Sequence, residues 1–168
     1  PWAYALLALA VLACALPGVF SLPVLDRDEA RFAQATKQML ETGDFISIYV
    51  QDEPRNKKPI GIHWVQGVAA GLTNQTEIWG FRLASVLGAL LSAFAILWGG
   101  TALLGRTAAF AGATLFAVMI LSSTEAMIAK TDAMLCGLTA IAMAALARLY
   151  MGRGGRREAL FFWGAVGA

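Results

Sequence analysis

Charge is what this sequence mostly lacks. No charged residue occurs from Pro1 to Leu25, and none from Pro59 to Thr76. Only 14% of residues are charged against 58% hydrophobic, where a soluble domain carries about a quarter charged. Mean hydropathy is +0.64. That balance excludes an ordinary soluble domain and makes the chain an integral membrane protein. The net charge is only +2, and no basic cluster is interleaved with aromatics, which speaks against nucleic acid as a partner. The two cysteines, Cys14 and Cys136, both sit inside apolar runs. They read as small hydrophobes and not as a disulfide or metal pair. The single histidine, His63, has no second ligand near it, so a satisfied interfacial histidine is the reading and no metal site is assigned. The chain has no glycine-rich nucleotide loop, no repeat and no low-complexity segment.

What charge there is concentrates between Asp26 and Lys58. This stretch holds seven of the eleven acidic residues and six of the thirteen basic ones. Asp26 followed by Glu29 resembles a capping box, and the spacing predicts a helix over about 28–42. Gly43 then offers the left-handed residue that ends it. Phe32, Ala35, Met39 and Leu40 fall near one face, while Arg31, Gln34, Lys37, Gln38 and Glu41 lie largely away from it. That is a helix lying at an interface. Asp28 sits in its first turn, where exposed N–H groups favour negative charge, and Arg31 shares its face. On spacing alone, a solvated and well-capped surface helix accounts for this pattern. The second half of the stretch, with its alternating FISIYV and turn-like DEPRN, reads as an extended loop.

The apolar runs predict spans at about 1–22, 83–105, 107–124 and 133–150, with another starting at 159. Pro17 kinks or ends the first. The run 59–72 is short, holds three glycines with His63 and Gln66, and falls below the roughly 17 residues needed to cross. It is expected as a second interfacial helix within one loop over 26–82. Asn74-Gln75-Thr76 matches a glycosylation sequon, a weak signal. If 59–72 stays on one side, this loop and the segment Glu125–Asp132 share a compartment. Arg106, Arg148, Arg153, Arg156 and Arg157 then share the other, which the positive-inside rule marks as cytoplasmic. The chain starts without methionine and its last run stops short of a span, so it reads as a piece of a longer protein.

Asp28-Glu29-Ala30-Arg31, Ala33, Met39 to Phe45, Lys58-Pro59, Trp64, Arg82 and Thr131-Asp132 together resemble one family over nearly the whole chain. It is that of the membrane glycosyltransferases that draw sugars from polyprenyl-phosphate carriers, the aminoarabinose lipid A transferases and protein O-mannosyltransferases among them. The resemblance implies an all-α integral membrane fold of the GT-C type, of which this is the N-terminal part. It also implies a multi-pass bacterial inner-membrane location with the active face external. The implied partners are a polyprenyl-phosphate sugar donor, a lipid or protein acceptor and membrane lipids. By the same resemblance Asp28 is the candidate general base or acceptor-orienting group, and Asp132 the second acidic residue of the site. Arg31 and Lys58 are the candidate donor-phosphate ligands. Related members commonly carry an acidic residue before the lysine of the Lys-Pro pair; here that position is Lys57. No cofactor is implied with certainty, and a divalent metal stays open.

The chemistry suits those residues. The leaving group is a lipid phosphate, whose growing charge arginine and lysine would stabilise. A carboxylate beside the acceptor would take or orient its proton. A single inverting displacement needs one base and no nucleophile. The rival class is a transporter or flippase fragment, which would bury charges or break helices at the bilayer midplane. Here the charges cluster in loops, which favours a surface active site.

Overall fold

The structure, a computed structural model, describes residues 2–55, 58–73 and 77–168. Lys57 and the triplet Asn74-Gln75-Thr76 therefore lie outside the described residues. The elements in order are α1 (Trp2–Ser21), α2 (Arg27–Thr42), a small hairpin of β1 (Tyr49–Val50) and β2 (Glu53–Pro54), α3 (Gly61–Thr73), α4 (Ile78–Leu103), α5 (Arg106–Val118), α6 (Ile120–Ala126), α7 (Asp132–Tyr150) and α8 (Arg156–Gly167). Among the described residues three helices, α1, α4 and α7, are long and apolar enough to cross a membrane, and a fourth crossing results if α5 and α6 count as one bent span.

α4 is the hub. It runs antiparallel to α1, with Phe20 against Trp79 near one end and Tyr4 against Phe94 further along. It runs parallel to α7, with Gly88 against Ala133 and Gly99 against Ala144. Small residues make this contact possible. A Cβ on Gly99 would sit 2.7 Å from the Ala144 Cα, and one on Gly137 would sit 2.7 Å from the Gly88 carbonyl oxygen. Between membrane helices such close backbone approach replaces the hydrophobic drive that lipid cannot supply. The rest of the core joins Leu7, Val11, Ala15 and Val19 of α1 to Val86, Ala93 and Leu97 of α4 and to Ala109 and Ala113 of α5.

The run 107–124, expected as one span, is broken. α5 and α6 meet at 58°, and Met119 between them is extended, with φ −67 and ψ 135. Neither proline nor glycine marks the break. Instead the Ser122 hydroxyl lies within hydrogen-bond reach of the Phe116 and Met119 carbonyls, meeting the need for partners that the interrupted helix creates. α4 begins at Ile78, ahead of the run expected from 83, so Arg82 belongs to a helix and not to a loop.

α2 and α3 are the two short helices between α1 and α4. α2 ends at Gly43, whose φ of 72 lets its N–H close on Met39 O. Phe32, Ala35 and Met39 face inward. Thr36, His63 and Gln66 tie α2 to α3: the Thr36 hydroxyl lies 2.8 Å from both His63 Nδ1 and Gln66 Oε1. The hairpin is pinned by Gln38, whose amide brackets the backbone of Gln51 at 2.8 and 3.0 Å and so holds that residue at φ 60.

Candidate functional site

All the acidic site candidates lie at one end of the bundle, where α4 and α7 begin and α1 stops. A buried corner organises it. Glu29 and Arg82 are both fully buried. Arg82 Nε donates to Glu29 Oε1 at 2.7 Å and Nη2 donates to Oε2 at 3.1 Å. The rest of the guanidinium serves the end of α1, with Nη1 donating to Val19 O at 3.1 Å and Leu22 O at 2.8 Å, and Nη2 to Pro23 O at 2.8 Å. Glu29 in turn accepts from the N–H of Leu25 at 2.9 Å and of Ala129 at 3.0 Å. Burial pushes the Glu29 carboxyl up, but the Arg82 guanidinium and these two N–H donors outweigh it, and the net direction is down.

The capping box takes a different form from the one the spacing suggested. Asp26 caps α2 by accepting from the Asp28 N–H at 3.2 Å. Glu29 reaches past Asp26 to Leu25 and is committed to the corner. The second oxygen of Asp26 meets Lys130 Nζ at 2.5 Å, and that hydrogen bond holds the Asp26 carboxyl below its ordinary range and Lys130 above its own. With Glu29 against Ala129, this bridges the first charged stretch to the segment before α7.

On that frame Asp28 points outward, its side chain about half exposed. Its Oδ1 lies 3.7 Å from Arg31 Nη1 and 3.6 Å from Arg55 Nη2. The structure thus brings Asp28 and Arg31 together and adds Arg55, a cation that sequence reasoning passed over. Arg55 also lies 5.7 Å from the centre of the Phe32 ring. Behind it His63 stacks on Phe32 at 5.4 Å. Burial foremost, and the Arg55 charge after it, lowers the His63 pKa to about 4, so this histidine is neutral.

Lys58 is exposed and immediately precedes Pro59, where a large apolar groove starts. The groove, about 840 Å³, runs between α3, α7 and α8, past Ile62, Trp64, Val65, Leu138 and Phe162. Thr131 lines it, and the Thr131 hydroxyl is buried without a partner among the described residues. Asp132, the neighbouring candidate, lies elsewhere. It lines a cavity of about 300 Å³ between α4, α5, α6 and α7, together with Glu125, Ser122 and Cys136. Glu125 Oε2 is closed off from solvent there and unpartnered among the described residues. Asp132 therefore shares with Glu125 a different cavity from the groove beside Lys58. Among the described residues no group of three or more His, Cys, Asp or Glu side chains could hold a metal ion.

Arg82, Glu125 and Thr131 are the residues that sequence reasoning gave no role of their own, and Glu29 was read only as the partner of Asp26 in a capping box. An arginine five residues inside an otherwise uncharged helix was the readable signal for the first pair, since a charge there needs a partner.

A bundle of apolar helices with cations and carboxylates gathered at one end, beside an apolar groove, defines a multi-pass membrane protein. The chain belongs to the dolichyl-phosphate-mannose-protein mannosyltransferase family, which matches residues 3–168. The undecaprenyl phosphate-alpha-4-amino-4-deoxy-L-arabinose arabinosyl transferase of Pectobacterium atrosepticum is 29% identical over 148 residues, covering 83% of this chain and 25% of that protein. The protein of the same description from Yersinia enterocolitica is 27% identical over 132 residues, covering 75% and 24%. The crystal structure of ArnT from Cupriavidus metallidurans bound to undecaprenyl phosphate superposes with a TM-score of 0.83 at 22% identity, over 97% of this chain and 31% of that one. That likeness shows a shared fold. The chain spans about a quarter of the length of the curated relatives it matches.

Proposed function

We propose that the full-length protein transfers a sugar from a polyprenyl-phosphate carrier to a lipid or protein acceptor at the external membrane face, with inversion of the anomeric centre. The observation that carries this reading is the apolar groove that starts at Pro59, directly after Lys58, at the end of the bundle that also holds Asp28, Arg31 and Arg55. A polyprenyl chain needs an apolar channel, and its phosphate needs cations at the channel mouth. The lipid-phosphate sugar donor named for the relatives supports the same substrate class here.

In this reading the groove takes the isoprenoid tail. Lys58, with Arg31, holds the phosphate and stabilises the charge it gains as the sugar leaves. Asp28, exposed at the start of α2, orients the acceptor and accepts its proton. Asp132 and Glu125 border a separate cavity, on the sugar or acceptor side. The residues that touch substrate stand on α2 and the following loop, while the Glu29–Arg82 corner holds that scaffold to α1 and α4.

The test uses the full-length protein in nanodiscs with a radiolabelled polyprenyl-phosphate sugar. Lys58→Ala is expected to weaken donor binding and turnover together, by about tenfold or more for the loss of a charge-assisted contact. Unchanged donor affinity would overturn the assignment of the groove.

A further inference from the structure

The far end of the bundle carries its own built feature. Between Arg148 and Glu158 the sequence has four arginines, Arg148, Arg153, Arg156 and Arg157, against one carboxylate. A cavity of about 350 Å³ opens here between α1, α4, α7 and α8. Arg148, Arg157 and Glu158 line one end of it. Leu91, Phe94 and Ile141 continue it along α4 and α7. From Trp98 to Leu91 this is about 10 Å along α4. The cavity is polar at its mouth and apolar in its shaft.

Arg148 is held there without being saturated. Its guanidinium stacks 5.1 Å from the Trp98 ring centre. Its hydrogen bonds are all long: Nε to Glu158 Oε1 at 3.4 Å, Nη1 to Trp98 O at 3.4 Å and Nη2 to Arg153 O at 3.3 Å. Each exceeds the usual range for N–H···O bonds. Arg157 makes no ion pair or side-chain hydrogen bond among the described residues. Two cations over an apolar shaft, with one weak carboxylate contact between them, fit a ligand with a single anionic head and a hydrocarbon tail. No soluble anion would use the shaft, and no neutral lipid would use the arginines.

We infer that this cavity is a binding site for an anionic phospholipid, its phosphodiester on Arg148 and Arg157 and one acyl chain lying along Leu91, Phe94 and Ile141. It is distinct from the groove beside Lys58, which opens at the opposite end. Basic pockets between membrane helices take acidic headgroups for this reason. The lipid's phosphate would displace Glu158 from Arg148, exchanging a long contact for bidentate ones.

Native mass spectrometry of the full-length protein decides the question. The protein is exposed to equimolar phosphatidylglycerol and phosphatidylcholine of identical acyl chains, with glycerol 3-phosphate as a soluble competitor. Wild type is expected to retain phosphatidylglycerol about tenfold over phosphatidylcholine, and glycerol 3-phosphate is expected not to compete. Arg157→Gln, at an exposed side chain with nothing to break, should remove most of that preference. Ile141→Trp, which fills the shaft without touching charge, should lower retention of phosphatidylglycerol as well. Equal retention of both lipids would overturn the site. So would competition by glycerol 3-phosphate, which would mean a headgroup site without a tail. If Ile141→Trp changes nothing while Arg157→Gln does, the arginines attract lipid only as a charged surface, and the cavity assignment fails.

Discussion

Arg82 and Glu29 meet through two hydrogen bonds, 2.7 and 3.1 Å long, with both side chains wholly out of solvent. Glu29→Gln keeps the shape but leaves a buried guanidinium without its counter-charge. Breaking a buried pair in this way costs about 3–5 kcal/mol. The variant should insert poorly or lose a comparable amount of stability in detergent, measured by fluorescence-detected thermal unfolding. A variant as stable as wild type would mean that the carbonyls of Gly18, Val19, Leu22 and Pro23 around Arg82 suffice without the carboxylate.

Asp28, one residue earlier, should behave in the opposite way. Its side chain is half exposed, so its contacts with Arg31 and Arg55 contribute at most about 1 kcal/mol. Asp28→Asn should therefore leave unfolding nearly unchanged. Asn cannot accept a proton, so turnover of the full-length protein should fall by roughly 10²–10⁴-fold with donor affinity retained. Near-normal turnover would reduce Asp28 to a surface residue in the first turn of α2.

His63 gives the fold an acid sensitivity. The unfolded chain binds its proton near pH 6.5, and the folded one only near 4. Between those values unfolding takes up a proton, so acid favours it. From pH 7 to pH 5 the loss should reach about 2 kcal/mol. Glu29, Asp26, Asp44 and Glu158, all lowered, lose their contributions only below the ordinary carboxylate range. The slope between pH 6.5 and 5 should flatten in His63→Gln, as read by unfolding midpoints across a pH series.

Gly99→Ala sets two effects against each other. Alanine gains about 1 kcal/mol of helix propensity over glycine, while overpacking against the Ala144 backbone, at 2.7 Å, costs about 1–3 kcal/mol. The clash should win, because the obstructing atoms, the Ala144 Cα and Cβ, cannot rotate away. Gly112→Ala, with nothing within 4 Å of the added Cβ, should be stabilising by up to about 1 kcal/mol. Equal shifts in the two midpoints would refute the tight α4–α7 contact.

Glu125→Gln should stabilise the fold and impair the protein. Its Oε2 is buried without a partner among the described residues, in the cavity that Asp132 also lines. Removing the charge should raise stability by about 1 kcal/mol. If the cavity receives part of a substrate, transfer should fall in the same variant. A gain in stability with full activity would make Glu125 a neutral passenger.

How much of this could be read from the sequence depends on the range of the interaction. α2 and its stop at Gly43 were legible because a cap, an amphipathic face and a left-handed glycine are local signals. The family was legible because several short motifs keep their order across the chain. The corner was not, because Glu29 satisfies the local pattern of a capping box while its true partners are 53 and 100 positions away. The break at Met119 was hidden because an uninterrupted apolar run looks alike whether straight or bent, and a serine carries the only sign of it. Asp132 and Thr131 were read as one motif, but adjacent helical residues lie about 100° apart around the axis. Only the rotation of α7 decides that one meets the groove and the other the small cavity.

The corner also has a history within each molecule's synthesis. Glu29 is finished 100 residues before the Ala129 amide that completes its set of partners. At about 5–20 residues per second, that gap lasts about 5–20 s. Arg82 arrives partway through, so for several seconds a carboxylate, and then an ion pair, exists without its final surroundings. Neither charge can wait in hydrocarbon. The segment around α2 must therefore stay in water while α4, α5 and α6 are made, and the end of α1, whose carbonyls accept from Arg82, takes its final form only after the chain has passed residue 82.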